Sequence, residues 1–374
     1  MSTTVALHDG RLAATRPLLI DDSLSLINRT GAHFVAQDLV DHFGADAWVR
    51  RWRGFGAALP RPPLLRKLLG RMMLKEMAWL GDRPVVTWPE RSSPLRLYLD
   101  PLYVLRGRLQ ASDIVLCHDI GPIRLARLYP PRAVELYRRA YAKVVTARPG
   151  IVFVSRSSQA AFVSEFGSDF RFLGSIPLYV RAACAEGPGR PVPAIDTPFL
   201  LSVGALEQRK NHLRTIEAFA RSGLVARGVS LVICGARGDA TAAITREASR
   251  TPGVRLVGYV SDAQLRWLYR QAAGFVLPSL LEGFGLPALE ASLYGLVPIV
   301  SKDSALNEAV GGLGLAVDAD DADQIATAMR LLIDLDPATL RARGERLKAH
   351  ARTATRERFI AAWSRLLAEE LALP

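Results

Sequence analysis

Short apolar and β-branched runs alternate with longer helical patterns along most of the chain. Several of these runs are apolar almost throughout, which is typical of strands buried on both faces of a parallel sheet. Helical patterns between them include residues 211–222, 262–272 and 321–335. The alternation predicts doubly wound α/β structure. The predicted strands cover residues 18–21, 114–118, 151–155, 171–176, 199–204, 230–235, 254–258, 274–278, 297–301 and 315–318.

The length of the chain and one break in its pattern predict two domains. A chain of 374 residues is long for a single hydrophobic core. The segment 186–198 is rich in proline and glycine, so it continues neither a helix nor a central strand. We expect an N-terminal domain over residues 1–190, a second domain over 191–354, and an amphipathic helix in the terminal segment 355–374.

A basic motif follows the first predicted strand of the second domain. Gly204 comes at the carboxyl end of this strand, and Arg209 and Lys210 come just before a predicted helix. Ligands of open α/β sheets bind beside such strand ends, and cations at a helix N-terminus oppose the helix dipole unless an anion is bound there. We therefore expect Arg209 and Lys210 to neutralise a diphosphate. A solvated basic pair is the alternative.

A second motif, Glu282-Gly283-Phe284-Gly285-Leu286-Pro287-Ala288-Leu289-Glu290, follows a later strand of the same domain. Its glycines allow the loop amides to point at a ligand. Pro287 suits the first turn of a helix, whose unpaired amides form an anion site. We expect Glu282 across the loop near a transferred sugar, and Glu290 in the first turn near sugar hydroxyls. The alternative is a glycine-proline turn with two surface glutamates.

These motifs, in this order, resemble glycosyltransferase family 4. Glu282 and Glu290, eight positions apart, resemble the E-x7-E motif of that family, and GALEQRKNHLRTIEAF at 204–219 is similar to its phosphate-binding segment. In the first half, Cys117-His118-Asp119-Ile120 resembles its strand-end His-Asp element, and residues 151–158 resemble the strand-plus-serine segment that follows. The resemblance spans nearly the whole chain and is most specific in the second half. It is closest to bacterial mannosyltransferase-like members.

The resemblance implies the GT-B fold, in which two Rossmann-like domains face each other and a C-terminal helix crosses back onto the first domain. It also implies a retaining transfer from a nucleotide diphosphate sugar, held by the C-terminal domain, to an acceptor facing the N-terminal domain. Arg209 and Lys210 would bind the diphosphate, Glu290 the ribose and Glu282 the transferred sugar. His118 would contact the sugar at the reaction centre.

Further donor contacts follow from the same resemblance. The loop and helix start formed by Gly283, Phe284, Gly285 and Leu286 would bind the donor together with Gly204. Gly31 would correspond to a glycine-rich first loop, although this chain has Ala32 and His33 where relatives often carry a second glycine. Tyr259 and Val260 would lie near the nucleotide base.

The expected mechanism depends on charge rather than on a metal. Loss of a nucleoside diphosphate leaves an oxocarbenium-like sugar and a growing negative charge on the leaving oxygen. Arg209, Lys210 and the helix amides would stabilise that charge most strongly in the transition state. The sequence shows no obvious pair of base and nucleophile, so we expect the leaving phosphate to take the acceptor's proton on the same face.

No metal or cofactor is expected besides the donor itself. Asp318 and Asp320 have the spacing of a metal-binding D-x-D motif, but they stand just before a helical pattern, where aspartates cap helices. His33, His212 and His350 lack metal-ligand companions and are expected on the surface or in loops.

Two other functions stay open. A sugar-nucleotide epimerase or a phosphorylase-like enzyme uses the same fold, and an epimerase would convert the donor without an acceptor. The non-enzymatic alternative is a basic scaffold or nucleic-acid-binding protein on a decayed transferase fold. The intact site residues and the few aromatic side chains near the basic patch disfavour it, so nucleic acid is not an expected partner. The expected donor is a GDP-, UDP- or dTDP-linked sugar, and the resemblance favours GDP-mannose and surface polysaccharide synthesis.

A basic patch at residues 48–75 points to a membrane or an acceptor. It holds eight Lys or Arg residues and no acid, in a chain of net charge +12, and such charge favours nucleic acids, anionic membranes or phosphorylated ligands. Leucines and methionines recur there at helical spacing, largely opposite Arg66, Lys67, Arg71 and Lys75. A basic amphipathic helix can lie in a membrane interface; packing on the N-terminal domain is the alternative.

We expect a cytoplasmic location. No secretory signal and no apolar run of membrane-spanning length are visible. A lipid-linked acceptor would bring the protein to the inner face of the membrane as a peripheral protein.

Overall fold

The computed structural model describes residues 16–27, 31–51, 54–55, 63–79, 94–195 and 198–373. The chain divides into two compact units. Unit 1 comprises Met1–Pro177 and Glu357–Pro374, and unit 2 comprises Leu178–Arg356. The division comes before the proline-rich segment, because that segment and the residues preceding it pack on unit 2. Cys184 and Val192 both belong to the hydrophobic core of this unit.

Unit 1 is built around one mainly parallel sheet. Its strands are β1 (Leu18–Asp21), β2 (Ala47–Arg51), β3 (Gly54–Phe55), β4 (Leu95–Tyr98), β5 (Ile114–Cys117), β6 (Gly150–Phe153) and β7 (Phe172–Ser175). They are ordered β3-β2-β1-β4-β5-β6-β7, and among them only β3 runs antiparallel to its neighbour. The helices between them are α1 (Gly31–Phe43), α2 (Pro63–Trp79), α3 (Gly121–Arg124), α4 (Pro131–Ala147) and α5 (Arg156–Phe166).

The sequence patterns do not predict β2 and β4, because both strands carry arginines. Arg50 in β2 is only 5% exposed, and its guanidinium pairs with Asp21 at the end of β1. Arg96 in β4 pairs with the buried Asp113 at 3.5 Å. Buried charges need such partners. Carboxylates that are distant in sequence therefore allow two polar segments to become inner strands of the sheet.

Unit 2 contains a second parallel sheet. Its strands are β8 (Phe199–Val203), β9 (Ser230–Cys234), β10 (Val254–Gly258), β11 (Gly274–Leu277), β12 (Pro298–Ser301) and β13 (Leu315–Val317), in the order β10-β9-β8-β11-β12-β13. Its helices are α6 (Ala182–Ala185), α7 (His212–Ser222), α8 (Thr241–Arg250), α9 (Asp262–Gln271), α10 (Leu286–Leu293), α11 (Ala305–Ala309), α12 (Ala322–Asp334) and α13 (Pro337–Thr353). Each strand predicted in this half is present, and its ends differ from the prediction by at most one residue. The predicted α/β class is confirmed.

The C-terminal helix α14 (Arg356–Ala372) belongs to unit 1 from its second residue onward. Phe359, Trp363 and Leu367 on its apolar face are buried. Near its end, Glu370 accepts a hydrogen bond from the guanidinium of Arg171 in the same unit. Across the described ranges, no helix has the length and apolar character needed to cross a membrane.

Candidate active site

Both predicted donor motifs lie at the topological switch point of the unit 2 sheet. The strand order reverses between β8 and β11, which are paired at the centre of the sheet. Loops that follow two such strands leave toward opposite sides, which opens a crevice at their carboxyl ends. The loop with Arg209 and Lys210 follows β8, and the loop with Glu282 follows β11. The fold therefore brings the two motifs to one edge of the sheet.

The loop after β8 is fixed by Asn211. Gln208–Lys210 forms a single 3-10 turn, and Asn211 then takes a left-handed conformation with φ of 60° before α7 begins. The Asn211 side chain donates to the carbonyl oxygens of Pro278 at 2.9 Å and Ala319 at 2.7 Å, which follow β11 and β13. Asparagine tolerates this backbone conformation better than most residues. It thus ties three strand ends together and holds Arg209 and Lys210 over the crevice.

Lys210, Arg209 and Glu282 form one ionic network. Lys210 Nζ lies 2.5 Å from Glu282 Oε1, and Arg209 Nη1 lies 3.3 Å from Glu282 Oε2. Ser279 Oγ also donates to Glu282 Oε1 at 3.0 Å, and Arg209 Nε reaches Glu207 Oε2 at 2.7 Å. The predicted diphosphate cations and the predicted sugar carboxylate are therefore in direct contact.

The network is buried, and burial shifts its proton equilibria. The side chains of Lys210 and Glu282 are 8% and 7% exposed. Burial disfavours the charged ammonium, and Glu282 offsets only part of that effect, so the pKa of Lys210 is lowered. Burial alone would raise the pKa of Glu282, but the charges of Lys210 and Arg209 outweigh it and hold that pKa below its usual range. Glu282 is therefore an ionised acceptor, suited to hydrogen bonds from hydroxyl groups.

The loop after β11 turns sharply into α10. Gly285 has φ of 106°, which side chains rarely adopt, and a Cβ there would lie 2.6 Å from Leu306 Cδ2. Leu286 is the first helical residue and Pro287 the second, so the helix starts one residue earlier than predicted. Phe284 is buried beneath the loop. The first amides of α10 lie within the turn formed by the predicted donor residues Gly283 to Leu286.

Glu290 lies in the second turn of α10, not the first, and its side chain is only 2% exposed. Arg181 Nε donates to its Oε1 at 2.8 Å, and Tyr269 Oη donates to its Oε2 at 3.1 Å. The sequence analysis missed both partners. Arg181 stands more than a hundred residues earlier in the chain, in the segment interpreted as the approach to a linker, so no local pattern connects it to Glu290.

His212 is a further residue that the sequence analysis misplaced. The expectation that it lies on the surface is wrong, since it is 1% exposed beneath the loop after β8. Its Nδ1 lies 3.4 Å from Ser202 Oγ, and its Nε2 would lie 3.6 Å from a Cβ on Gly204. Burial, reinforced by the charge of Lys210, lowers the pKa of His212 to about 4. A neutral imidazole therefore packs under Gly204, and His33, at 7% exposure, is likewise buried.

The remaining predicted donor residues of unit 2 lie at its edge. Tyr259 is 82% exposed and Val260 is half-buried, both directly after the edge strand β10. Ser261 then opens α9 with a capping box. At the other edge of the sheet, Asp321 rather than Asp318 or Asp320 caps α12. Within the described part of the chain, no three His, Cys, Asp or Glu side chains are grouped to hold a metal ion.

In unit 1, His118 follows β5 and is held by its backbone surroundings. Its Nε2 lies 3.1 Å from the carbonyl oxygen of Leu99, and Ser158 Oγ donates to the His118 carbonyl at 3.1 Å. A carbonyl only accepts, so Nε2 carries the proton and Nδ1 is the acceptor. Burial lowers the pKa of His118, which keeps the ring neutral. Gly31 is the first residue of α1, and the residues just before it lie outside the described ranges.

Helix α2 carries the described part of the basic patch. Lys67, Arg71 and Lys75 are exposed, whereas Arg66 is half-buried and shares a helical face with the buried Met73 and Met77. The prediction placed all four cations largely opposite the apolar residues. The structure instead divides the apolar residues of the helix between an inward and an outward face. Arg53 and Arg61 lie outside the described residues.

Comparison with known proteins assigns the family. The family described as "Glycosyl transferases group 1" matches residues 190–352. A GDP-mannose:cellobiosyl-diphosphopolyprenol alpha-mannosyltransferase of Komagataeibacter xylinus is 35% identical over 292 residues, which cover 76% of this chain and 67% of the relative. The chain belongs to the glycosyl transferases of group 1. The resemblance drawn from the motifs is confirmed, and so is the assignment of this glycosyltransferase as an enzyme.

Other similarities agree with this family. The O-antigen chain mannosyltransferase B of Escherichia coli is 27% identical over 331 residues, which cover 84% of this glycosyltransferase and 82% of the relative. Among solved structures, sucrose-phosphate synthase of Thermosynechococcus elongatus matches with a TM-score of 0.67 at 19% identity. It covers 96% of this chain and 99% of that one. At this identity the match concerns the fold alone, and it supports the predicted GT-B class.

Proposed function

We propose that this glycosyltransferase moves mannose, with retention of configuration, from GDP-mannose to a glycan or lipid-linked acceptor in the synthesis of a bacterial surface polysaccharide. The observation that carries the proposal is the buried network of Arg209, Lys210 and Glu282 at the switch point of unit 2. Its donor and acceptor classes rest on the relatives, which include a GDP-mannose-dependent transferase to a diphosphopolyprenol and an O-antigen chain mannosyltransferase.

Donor binding rearranges the ionic network in this proposal. Glu282 contacts both cations, so an incoming diphosphate competes with this carboxylate for Arg209 and Lys210. The carboxylate oxygens released in this way then accept hydrogen bonds from hydroxyls of the transferred sugar. The cations meanwhile stabilise the leaving diphosphate, whose charge grows as the glycosidic bond breaks.

The other predicted residues complete the donor site. His118 accepts a sugar hydroxyl at Nδ1, the ring atom that its bond to Leu99 leaves as the acceptor. Glu290 accepts the ribose hydroxyls, and Tyr259 and Val260 lie beside the base. Gly31, Gly204 and the loop from Gly283 to Leu286 let backbone approach the diphosphate. The leaving phosphate takes the acceptor's proton, so the reaction proceeds without a metal.

A donor screen tests the proposed reaction. GDP-mannose, UDP-glucose and a dTDP-hexose are compared by thermal shift, where a ligand at 100 times its Kd adds roughly 2.7 kcal/mol of stability. We expect GDP-mannose to give the largest shift, to be hydrolysed slowly without acceptor, and to react faster with a diphosphopolyprenol glycan. NMR of the product should show the retained anomer, and EDTA should not alter the rate.

Three results would change the assignment. A response confined to UDP-sugars refutes the proposed donor. Accumulation of an epimerised nucleotide sugar without acceptor identifies an epimerase. Loss of activity in EDTA, restored by a divalent cation, refutes metal independence.

We further propose that the exposed face of α2 binds the anionic surface of a membrane. This face displays large apolar side chains next to cations: Leu64 and Trp79 are 83% and 84% exposed, and Leu65, Leu68 and Met72 are also exposed. Lys67, Arg71 and Lys75 form the adjacent row at intervals of four residues. Apolar anchors beside cations match the boundary between acyl chains and anionic headgroups. A lipid-linked acceptor would lie at this boundary.

Flotation with liposomes tests this surface. We expect binding to vesicles containing phosphatidylglycerol, weaker binding at high salt because of screening, and none to neutral vesicles. Reversing Lys67, Arg71 and Lys75 to Glu should lower binding about a hundredfold or more, since each cation near the surface contributes roughly 1 kcal/mol. Reversing Arg341, Arg346 and Arg352, exposed on α13, is the matched control. Equal loss in both variants, or equal binding to neutral vesicles, contradicts a specific role for α2.

A further inference from the structure

The carboxylate of Glu290 is unusually enclosed for a residue proposed to read a ribose. Glu290 is 1% exposed, in the second turn of α10. Tyr269, itself fully buried on α9, donates to Oε2 at 3.1 Å, and Arg181 Nε donates to Oε1 at 2.8 Å. An ionised carboxylate buried to this extent needs a positive partner. Arg181 supplies that charge.

Arg181 is itself held in place by the segment that joins β7 to β8. Its Nη2 lies 2.8 Å from Cys184 Sγ, and its Nη1 lies 3.9 Å from Asp262 Oδ1 at the start of α9. The segment is fastened to the rest of unit 2 by Tyr294, whose hydroxyl donates to the Cys184 carbonyl at 2.5 Å, and by Arg270, which donates to a backbone carbonyl at 2.9 Å. The guanidinium therefore approaches Glu290 from a fixed direction.

The two hydrogen bonds leave acceptor capacity on Glu290. Each carboxylate oxygen has two lone-pair positions, and Arg181 and Tyr269 occupy one on each oxygen. One further position remains on each oxygen, which matches the two neighbouring hydroxyls of a ribose.

We propose that Arg181 is a positioning residue of the donor site, which together with Tyr269 fixes the Glu290 carboxylate so that it accepts the ribose hydroxyls of the nucleotide. The inference rests on the proposed function, because it requires a nucleotide donor. It goes further by assigning recognition of the ribose, as distinct from the diphosphate, to a pair of residues in which Arg181 touches no substrate.

The charges around Arg181 agree with this role. Burial would lower its pKa, but the charge and hydrogen bond of Glu290 outweigh burial, so the pKa of Arg181 is raised. The other ionisable groups that contact it or Glu290 do not compete for its charge. Burial, followed by the charge of Glu290, raises the pKa of the Tyr269 phenol and of the Cys184 thiol, so both are neutral. Asp262 is half exposed and lies at the outer edge of the guanidinium.

Binding of ribose and deoxyribose nucleotides tests the inference. The affinities of GDP and 2′-deoxy-GDP, and of UDP and 2′-deoxy-UDP, are measured by calorimetry for the full chain and its variants. We expect the wild type to prefer the ribonucleotide about tenfold or more, as expected for a hydrogen bond to a charged acceptor. Arg181→Met should reduce this preference to about twofold or less, chiefly by weakening the ribonucleotide. Arg181→Lys should restore part of it, because lysine keeps the charge but not the fork of donors.

Two further variants separate positioning from folding. Arg270→Met removes a neighbouring cation that fastens the same segment without touching Glu290, and it should keep the wild-type preference. Tyr269→Phe keeps the ring and removes the second bond to Glu290, so it should lower the preference even if Arg181→Met fails to fold. Combining Arg181→Met with Glu290→Gln should cause no further loss, since both act through one carboxylate.

The outcomes distinguish the inference from the proposed function. A wild-type preference that persists in both Arg181→Met and Tyr269→Phe overturns the positioning role. If the wild type binds both nucleotides of a pair equally, Glu290 does not read the ribose, and the inference fails while donor binding stands. If no nucleoside diphosphate binds the wild type, the proposed function fails and the inference fails with it.

Discussion

Replacing Lys210 by methionine perturbs the centre of the proposed site. Methionine keeps most of the length of the side chain and removes the ammonium that lies 2.5 Å from Glu282. Both side chains are less than a tenth exposed, so the carboxylate would lose its nearest charge in a buried setting. Breaking such a pair costs about 3–5 kcal/mol. Arg209 and Ser279 still contact Glu282, so we expect a loss near the lower end, about 3 kcal/mol.

The effect of the same variant on catalysis is larger in ratio and has a different cause. If Lys210 stabilises the leaving diphosphate in the transition state, its loss should lower kcat by about 10²–10³-fold, as removal of one such electrostatic partner does. The double variant Lys210→Met with Glu282→Gln removes the unpaired charge along with its partner. It should regain most of the lost stability and none of the activity.

Urea unfolding and initial rates of mannosyl transfer measure the two effects. Lys302→Met is the matched control, because Lys302 pairs with Asp318 at 3.0 Å where both side chains are about half exposed. Exposed pairs contribute about 0–1 kcal/mol, so the control should be near wild type in both assays. Turnover of Lys210→Met within a few-fold of wild type would refute the role in catalysis. Recovery of turnover in the double variant would show that stability alone was limiting.

Three more predictions follow from particular residues. Glu282→Gln should mainly lower kcat and Glu290→Gln should mainly raise the donor KM, because a ribose contact is similar in the ground and transition states; identical kinetic changes would contradict these roles. Burial raises the pKa of Asp100 to about 7, so its ionisation costs stability as pH rises from about 4 to 7. Asp100→Asn should therefore exceed wild type by up to about 4 kcal/mol at pH 8 in urea unfolding, with a gain that shrinks toward acid pH. Gly235→Ala would place a methyl group 1.8 Å from a backbone carbonyl oxygen and should destabilise by about 3 kcal/mol or more, whereas Gly174→Ala, with no atom within 4 Å, should unfold at nearly the wild-type urea concentration.

Local chemistry was enough to predict the architecture of unit 2 and the position of its motifs. Strands buried on both faces must be apolar almost throughout, so β8 to β13 are visible as runs in the sequence. The carboxyl ends of these strands are where ligands of such sheets bind. Gly204, Lys210 and Glu282 could therefore be assigned to one site before the strand order was known.

Tertiary structure decided which charges are buried and which groups they meet. The strands β2 and β4 contain arginines and become inner strands only because Asp21 and Asp113 neutralise them. The contact between Arg181 and Glu290 likewise joins residues 109 positions apart. Sequence patterns report what neighbours along the chain share. The free energy of a buried charge depends on its partners in space, and only the folded chain brings those partners together.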